Sequence, residues 1–122
     1  MAGHLKLGER GEKLAVEFLK KQDYAILETR YRYSRYEIDI ICRSVKGHLV
    51  FVEVKTRTNL SHGKPMDFVS KRKENYISQA AQYYIEKTGW DDAIRFDIIS
   101  IEISGEHHKL DHIKDAFFPT SW

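Results

Sequence analysis

The sequence predicts an α/β (α+β) domain, a central mixed sheet flanked by helices in the order α-β-β-β-α-β. Three observations lead there. Two segments, one near the N-terminus and one past the middle of the chain, carry apolar residues at helical spacing. Three extended segments rich in β-branched and aromatic residues lie between them. A fourth follows the second helical segment. Strands and helices mixed in this way pack as helices on a sheet.

The first helix is expected from about Leu7 to Gln22, where Gly11, Leu14, Ala15, Phe18 and Leu19 recur on one side with charges elsewhere. Tyr24–Tyr33 is the first extended segment, Glu37–Arg43 with Ile38, Ile40 and Ile41 the second, and Leu49–Thr56 (LVFVEVKT) the third. Gly63-Lys64-Pro65 marks a loop. The second helix runs from about Asp67 to Lys87 through Val69, Tyr76, Ile77, Ala80, Ala81, Tyr84 and Ile85, and Gly89 stands at the position that ends it. Ile94–Ile103 is the fourth strand, and His108–Phe118 adds a short edge strand.

At about 150 residues per domain, 122 residues make one domain spanning 1–122. Hydrophobic residues at 42% and charged residues at 31% are ordinary for a soluble globular chain. One cysteine excludes an internal disulfide framework and a multi-cysteine zinc site. No run approaches the roughly 18 apolar residues of a membrane span, and Met1–Lys6 lacks the apolar core of a secretory signal. A cytoplasmic location and no membrane partner are expected. The net charge of +2 conceals an asymmetry: residues 1–88 carry 17 Lys and Arg against 11 Asp and Glu, and residues 89–122 carry 3 against 7. A basic body with an acidic tail fits a polyanionic partner such as nucleic acid, or a solubility pattern without one.

The chemistry is concentrated in Glu37-Ile38-Asp39 and Glu53-Val54-Lys55. With Val45-Lys46-Gly47 as a three-residue loop closing on Gly47 in the left-handed region, paired residue numbers sum to 92. Asp39 then falls opposite Glu53, Glu37 opposite Lys55 and Ile41 opposite Phe51. Alternation puts these six on one face and Ile38, Ile40, Cys42, Val50, Val52 and Val54 on the other, which reads as core. Two carboxylates facing each other across a ladder are destabilising without a positive charge between them. Lys55 or a divalent cation supplies it, and Mg²⁺ takes one or two carboxylates together with waters and phosphate oxygens. Lys55 could then stabilise developing negative charge or help orient an attacking water. The competing reading is a solvated salt-bridge ladder of Glu37 with Lys55 and of Asp39 with an arginine.

These residues resemble the PD-(D/E)xK nuclease superfamily, the restriction-endonuclease-like fold. Nearly the whole chain resembles the YraN-like family of small bacterial proteins, related to archaeal Holliday junction resolvases. The matching pieces are Gly8-Glu9-Arg10-Gly11-Glu12, Thr29-Arg30-Tyr31-Arg32, Glu37-Ile38-Asp39-Ile40-Ile41 and Val50 through Arg57. Lys73, Ala80-Ala81, Arg95-Phe96-Asp97 and His112-Ile113 through Ala116-Phe117 complete them. Tyr36 stands where the family usually has Gly, and Thr29 where it usually has Asn. The resemblance implies a restriction-endonuclease-like core with Asp39, Glu53 and the Val54 carbonyl as ligands of Mg²⁺ or Mn²⁺. It implies Lys55 as the catalytic lysine, Glu12 as an additional acid aimed at the metal, and Glu37 as part of the family's E-I-D motif.

Around this candidate site, Arg30, Arg32, Arg35, Arg57, Lys71 and Arg72 are candidate phosphate contacts, which position a nucleic acid without reading its sequence. Lys73 is either a further phosphate contact or a lysine laid along an apolar stripe. Tyr31, Tyr33 and Tyr36 either stack on unpaired bases or belong to the core. His4, His48, His62, His107, His108 and His112 show no zinc-ligand spacing and are assigned no role.

Three functions follow in order of preference. The first is a Mg²⁺- or Mn²⁺-dependent endonuclease acting on structured or branched nucleic acid, DNA before RNA, as a homodimer if two cuts are needed. Phe117, Phe118 and Trp122 are candidates for its interface. The second is a non-catalytic nucleic-acid-binding module on the same fold. The third is a docking protein of a DNA-processing complex that uses its acidic last third.

Overall fold

The computed structural model describes residues 3–58 and 69–119, for residues 3–5 as backbone alone. The predicted loop at Gly63-Lys64-Pro65, the predicted helix start at Asp67, His62 and Trp122 lie outside the described residues. Helix α1 spans Gly3–Lys21 and helix α2 spans Lys71–Thr88. The strands are β1 (Ala25–Tyr33), β2 (Tyr36–Arg43), β3 (Leu49–Thr58), β4 (Ile94–Ser104) and β5 (His107–Ile113). They form one mixed sheet in the order β1-β2-β3-β4-β5, parallel only between β3 and β4, where α2 makes the crossover. This is the α+β architecture expected from the sequence.

Local chemistry sets the element ends. At the end of α1, Asp23 enters the left-handed region at φ 66°. Its N–H bonds to the Lys20 carbonyl and that of Tyr24 to the Leu19 carbonyl, a Schellman closure that satisfies the last carbonyls. Lys20 and Lys21 in the last turn suit the negative end of the helix dipole. Helix α2 opens on Ser70, whose side chain accepts from the Lys73 N–H. It closes on Gly89 at φ 72°, as the sequence led one to expect.

Helices cover both faces of the sheet. On the α1 side, Ala15, Leu19 and Tyr24 pack on Ile40, Cys42, Val50, Val52, Ile99, Ile101 and Ile103. On the α2 side, Ile77, Ala80, Ala81 and Tyr84 pack on Ile38, Ile41, Leu49, Phe51, Phe96 and Ile98. Full burial of a side chain such as Leu19 or Phe51 contributes about 1.5–3 kcal/mol each. Helix α1 approaches β3 so closely that a Cβ at Gly11 would collide with the Thr56 side chain.

The β2–β3 turn forms as expected. Gly47 sits at φ 89°, and the ladder runs Arg43↔Leu49, Cys42↔Val50, Ile41↔Phe51 and Ile40↔Val52, each pair summing to 92. The expected alternation then breaks: Ile38 belongs to the α2 side and Ile40 to the α1 side. The irregularity coincides with Arg30 on the neighbouring strand, which takes φ 52°. The expected facing pairs Asp39–Glu53 and Glu37–Lys55 therefore do not extend the ladder. The last strand is β5, shorter than expected, and beyond it the Ala116 N–H bonds back to the Phe96 carbonyl at 2.7 Å.

Candidate metal centre

The site lies where β2 leaves β3. Ser44 and His48 form a hydrogen-bonded pair, since the Ser44 N–H donates to the His48 carbonyl at 2.9 Å. Antiparallel ladders alternate with period two, so the Val54 N–H would next be directed at Ile38. It donates instead to Asp39 Oδ2 at 2.8 Å. The Asp39 side chain thus fills the opening between the strands, in the plane of the sheet rather than on one face. A residue in a strand directs its N–H and C=O to the same side, so the Val54 carbonyl faces this opening too.

Glu53 stands beside it. The two line one cleft of about 350 Å³ together with Leu7, Gly8, Glu12, Val54, Thr56 and Lys73. Burial first, and then the Glu53 charge, push the Asp39 pKa up to about 8. Burial raises Glu53 as well, opposed by Lys73, by a hydrogen bond with Asp39 and by Lys55. Glu53 Oε2 is 3.6 Å from Lys73 Nζ, whereas Oε1 is buried without a hydrogen-bond partner. A buried carboxylate oxygen with nothing to bind is costly. A carboxyl pair that shares a proton, or a cation placed between its members, removes that cost.

Glu12 and Glu37 complete the acidic wall. One carboxylate oxygen from each of Glu12, Glu37 and Asp39 lies within 4.8 Å of the others. Each of the two glutamates has a counter-ion from β1: Arg30 Nε is 2.9 Å from Glu12 Oε1, and an Arg32 amino group is 3.3 Å from Glu37 Oε1. All five acidic and lysine positions singled out from the sequence therefore gather at this end of the sheet. Lys55 is in a second cleft of about 400 Å³ with Glu53, Val69, Ser70 and Lys73. Glu53 and Lys73 line both. The carboxylates offer hard oxygen ligands that suit a divalent cation.

The basic residues divide. Arg30, Arg32 and Lys73 are held at the acidic wall. Arg57 donates to Ser100 Oγ at 2.9 Å, and the Arg35 guanidinium lies 5.6 Å from the centre of the Tyr36 ring. Lys71 and Arg72 are exposed at the start of α2. The three tyrosines are partly buried and pack against the α2-side core. Tyr31 meets Tyr84 edge-on at 5.0 Å, Tyr33 stacks on Tyr83 at 4.3 Å and Tyr36 stacks on Tyr76 at 4.9 Å. Phe117 and Phe118 likewise pack on Phe96.

One cluster was not anticipated. Asp97 is fully buried, and its carboxylate accepts from the Arg95 guanidinium twice at 2.9 Å and from the Asp115 N–H at 2.9 Å. It also meets His112 Nε2 at 2.7 Å, and Arg95 donates on to the Tyr24 hydroxyl at 2.6 Å. Burial alone would raise Asp97, but the bonds from His112, Arg95 and Asp115 outweigh it and hold the pKa below the usual carboxylate range. The signal available in the sequence is the aspartate inside the otherwise apolar run IRFDIISI. The network fastens β5 and the turn after it to β4.

No helix among the described residues is long and apolar enough to cross a membrane. Among solved structures, the chain is similar to SfsA of Pyrococcus furiosus in complex with Ca²⁺, at 14% identity over 91% of this chain and 63% of that one, with a TM-score of 0.40. A TM-score of 0.40 is too low for that likeness to bear on fold or function. The sequence relatives are much nearer. The UPF0102 protein of Christiangramia forsetii is 44% identical over 119 residues, which is 97% of this chain and 98% of that protein. Its counterpart in Flavobacterium psychrophilum is 43% identical over 118 residues, with the same coverage. That of Geobacter metallireducens is 46% identical over 112 residues, 91% of each. The model of the Uncharacterised protein family UPF0102 matches residues 11–101, which take in the acidic wall, the second cleft and the Arg95–Asp97 pair. The chain belongs to the UPF0102 family.

Proposed function

We propose that this chain is a metal-dependent endonuclease that hydrolyses phosphodiester bonds of nucleic acid, with structured or branched DNA as its substrate class. The observation that carries the reading is the buried, unpartnered Glu53 Oε1 beside a second buried carboxyl that is fixed by a main-chain N–H. A structural ion pair would satisfy that oxygen with an arginine or lysine. A site for a divalent cation leaves it open.

Asp39, Glu53 and the Val54 carbonyl would hold Mg²⁺ or Mn²⁺, with Glu12 and Glu37 on the flank. A bound ion would supply a water of lowered pKa and would neutralise charge on a phosphate oxygen. The Val54 N–H keeps Asp39 oriented, so little reorganisation is needed on binding. Arg30 and Arg32 hold Glu12 and Glu37 in place. Lys55, in the adjoining cleft, would stabilise the negative charge that develops on the phosphate. Lys71 and Arg72 would take flanking phosphates. The absence of a separate sequence-reading element among the described residues favours recognition of nucleic-acid shape. A junction-resolving reaction would need two copies of the chain, one per cut.

The test is cleavage of labelled duplex, single strand, flap, four-way junction and structured RNA with Mg²⁺, with Mn²⁺ and with EDTA. Metal-dependent cutting that is lost in Glu53→Ala and in Lys55→Ala is the expected result. Salt-sensitive binding without cutting, unchanged in both variants, would leave a nucleic-acid-binding module.

A further inference from the structure

We infer that Lys73 is the built-in counter-ion of the candidate metal centre, and that its ammonium would give up Glu53 to a divalent cation and turn into the adjoining cleft. The inference rests on the metal-dependent reading above and assigns a positioning role to a residue outside the acidic set. Lys73 Nζ lies 3.6 Å from Glu53 Oε2, on the one oxygen of that carboxylate with a cationic neighbour. It lines the acidic cleft with Glu12, Asp39 and Glu53, and also the second cleft with Lys55 and Ser70. No other described lysine or arginine lines both.

The backbone under Lys73 is fixed, and its side chain is half exposed. Its N–H is held by the Ser70 side chain at 3.1 Å, the cap of α2. The ammonium is less constrained, since the side chain is 45% exposed while its partner Glu53 is 11% exposed. Two cations cannot share Glu53 at close range without repulsion. On metal entry the ammonium would therefore turn from Glu53 towards the second cleft, which it already lines with Lys55, and an anionic oxygen bound there would offset the repulsion between the two lysines. Two lysines there form a receptor for an anionic oxygen of the class found in a phosphodiester. Cation loading at one cleft thus prepares phosphate binding at the other, and the phosphate compensates the charge of the displaced lysine.

The test uses the full chain and Mn²⁺ alone, followed by free Mn²⁺ electron paramagnetic resonance, with no nucleic acid present. Wild type, Lys73→Met, Lys73→Arg and Glu53→Gln are compared. Removing the ammonium should tighten Mn²⁺ binding about fivefold in Lys73→Met, the scale of a half-exposed ion pair. Lys73→Arg should stay near wild type, and Glu53→Gln should lose binding. A second measurement titrates a four-way DNA junction in Ca²⁺. Lys73→Met should then bind the junction more weakly despite its better metal affinity.

Equal or weaker Mn²⁺ affinity in Lys73→Met overturns the inference. If Glu53→Gln still loses the metal in that case, the metal-dependent reading stands and the counter-ion role alone fails. If none of the four proteins takes up Mn²⁺, both fail. If Lys73→Met binds and wild type does not, the lysine holds the site shut and the inference is upheld. Loss of folding in Lys73→Met, read by circular dichroism, would show a structural lysine and overturn it as well.

Discussion

Asp39 Oδ2 accepts the Val54 N–H at 2.8 Å, at the place where the hairpin ladder would have used Ile38. A side chain has replaced a main-chain acceptor, and the two strands part around it. The carboxyl gains an anchor and loses its water.

That loss of water makes stability depend on pH. Burial, and then Glu53, raise Asp39 to about 8, and burial raises Glu53. A group whose folded pKa lies above its unfolded one binds more protons in the folded state. Its contribution is complete below the ordinary carboxylate pKa of about 4 and is lost as pH rises towards the folded value. In EDTA the melting temperature should therefore fall between about pH 5 and pH 8. Saturating Mn²⁺ should restore it at the upper end, and Asp39→Asn should flatten the slope. Thermal melts across that range decide the matter, and a slope unaltered in Asp39→Asn would refute the assignment.

Gly11→Ala places a methyl group against the Thr56 side chain. Overpacking costs about 1–3 kcal/mol, offset in part by the better helix propensity of Ala, worth about 1 kcal/mol. A net loss of stability is expected by denaturant titration. Thr56→Ala in the same chain should recover part of it, because the hydroxyl and methyl groups are then gone. No recovery would mean that the contact is not the cause.

Asp97 lies in the network that ties β5 and the turn after it to β4, apart from the acidic wall. Asp97→Ala leaves Arg95 without its partner in a half-buried position, and a broken buried pair costs about 3–5 kcal/mol. The sign of its pH effect is opposite to that of Asp39. A lowered folded pKa gives stability that is present above the ordinary carboxylate value and lost as pH falls through the folded one. The variant should melt far earlier at neutral pH while its folded fraction keeps the wild-type affinity for Mn²⁺. Altered metal affinity in the folded protein would place Asp97 within the site after all.

Lys71→Ala and Arg72→Ala should each weaken nucleic-acid binding alike for all sequences, and each should reduce the slope of log affinity against log salt by about 1. Filter binding in Ca²⁺ at several salt concentrations measures both. Tyr36→Phe is the contrast: it keeps the ring that stacks on Tyr76 and removes only the hydroxyl, so binding should not change. A strong effect of Tyr36→Phe would show that the hydroxyl, not the ring, serves the ligand.

Periodicity and turn chemistry made the elements legible. Gly47 placed the β2–β3 register to the residue, because a left-handed position closes only one loop length well. The same logic failed at Asp39, where it assumed that main-chain pairing continues. Alternation says nothing about a carboxylate that takes over a strand's hydrogen bond, so Ile38 was placed on the wrong face. The tyrosines were ambiguous because their partners Tyr76, Tyr83 and Tyr84 are on a distant helix. Asp97 stood out inside an apolar run, but its partners did not, since the network joins Tyr24 to Arg95 across 71 positions.

The tight hairpin also sets an order of assembly. Asp39 and Val54 are 15 positions apart, and a hairpin of that kind closes in about 1–10 μs. The two acids meet while both are still hydrated and charged. The parallel β3–β4 pairing must wait for the α2 crossover, and distant contacts of that type form slowly. Burial of the acid pair, which raises both carboxyls, is therefore completed at the end of folding. Refolding should slow at alkaline pH at its last step, while collapse of the hairpin keeps its pace.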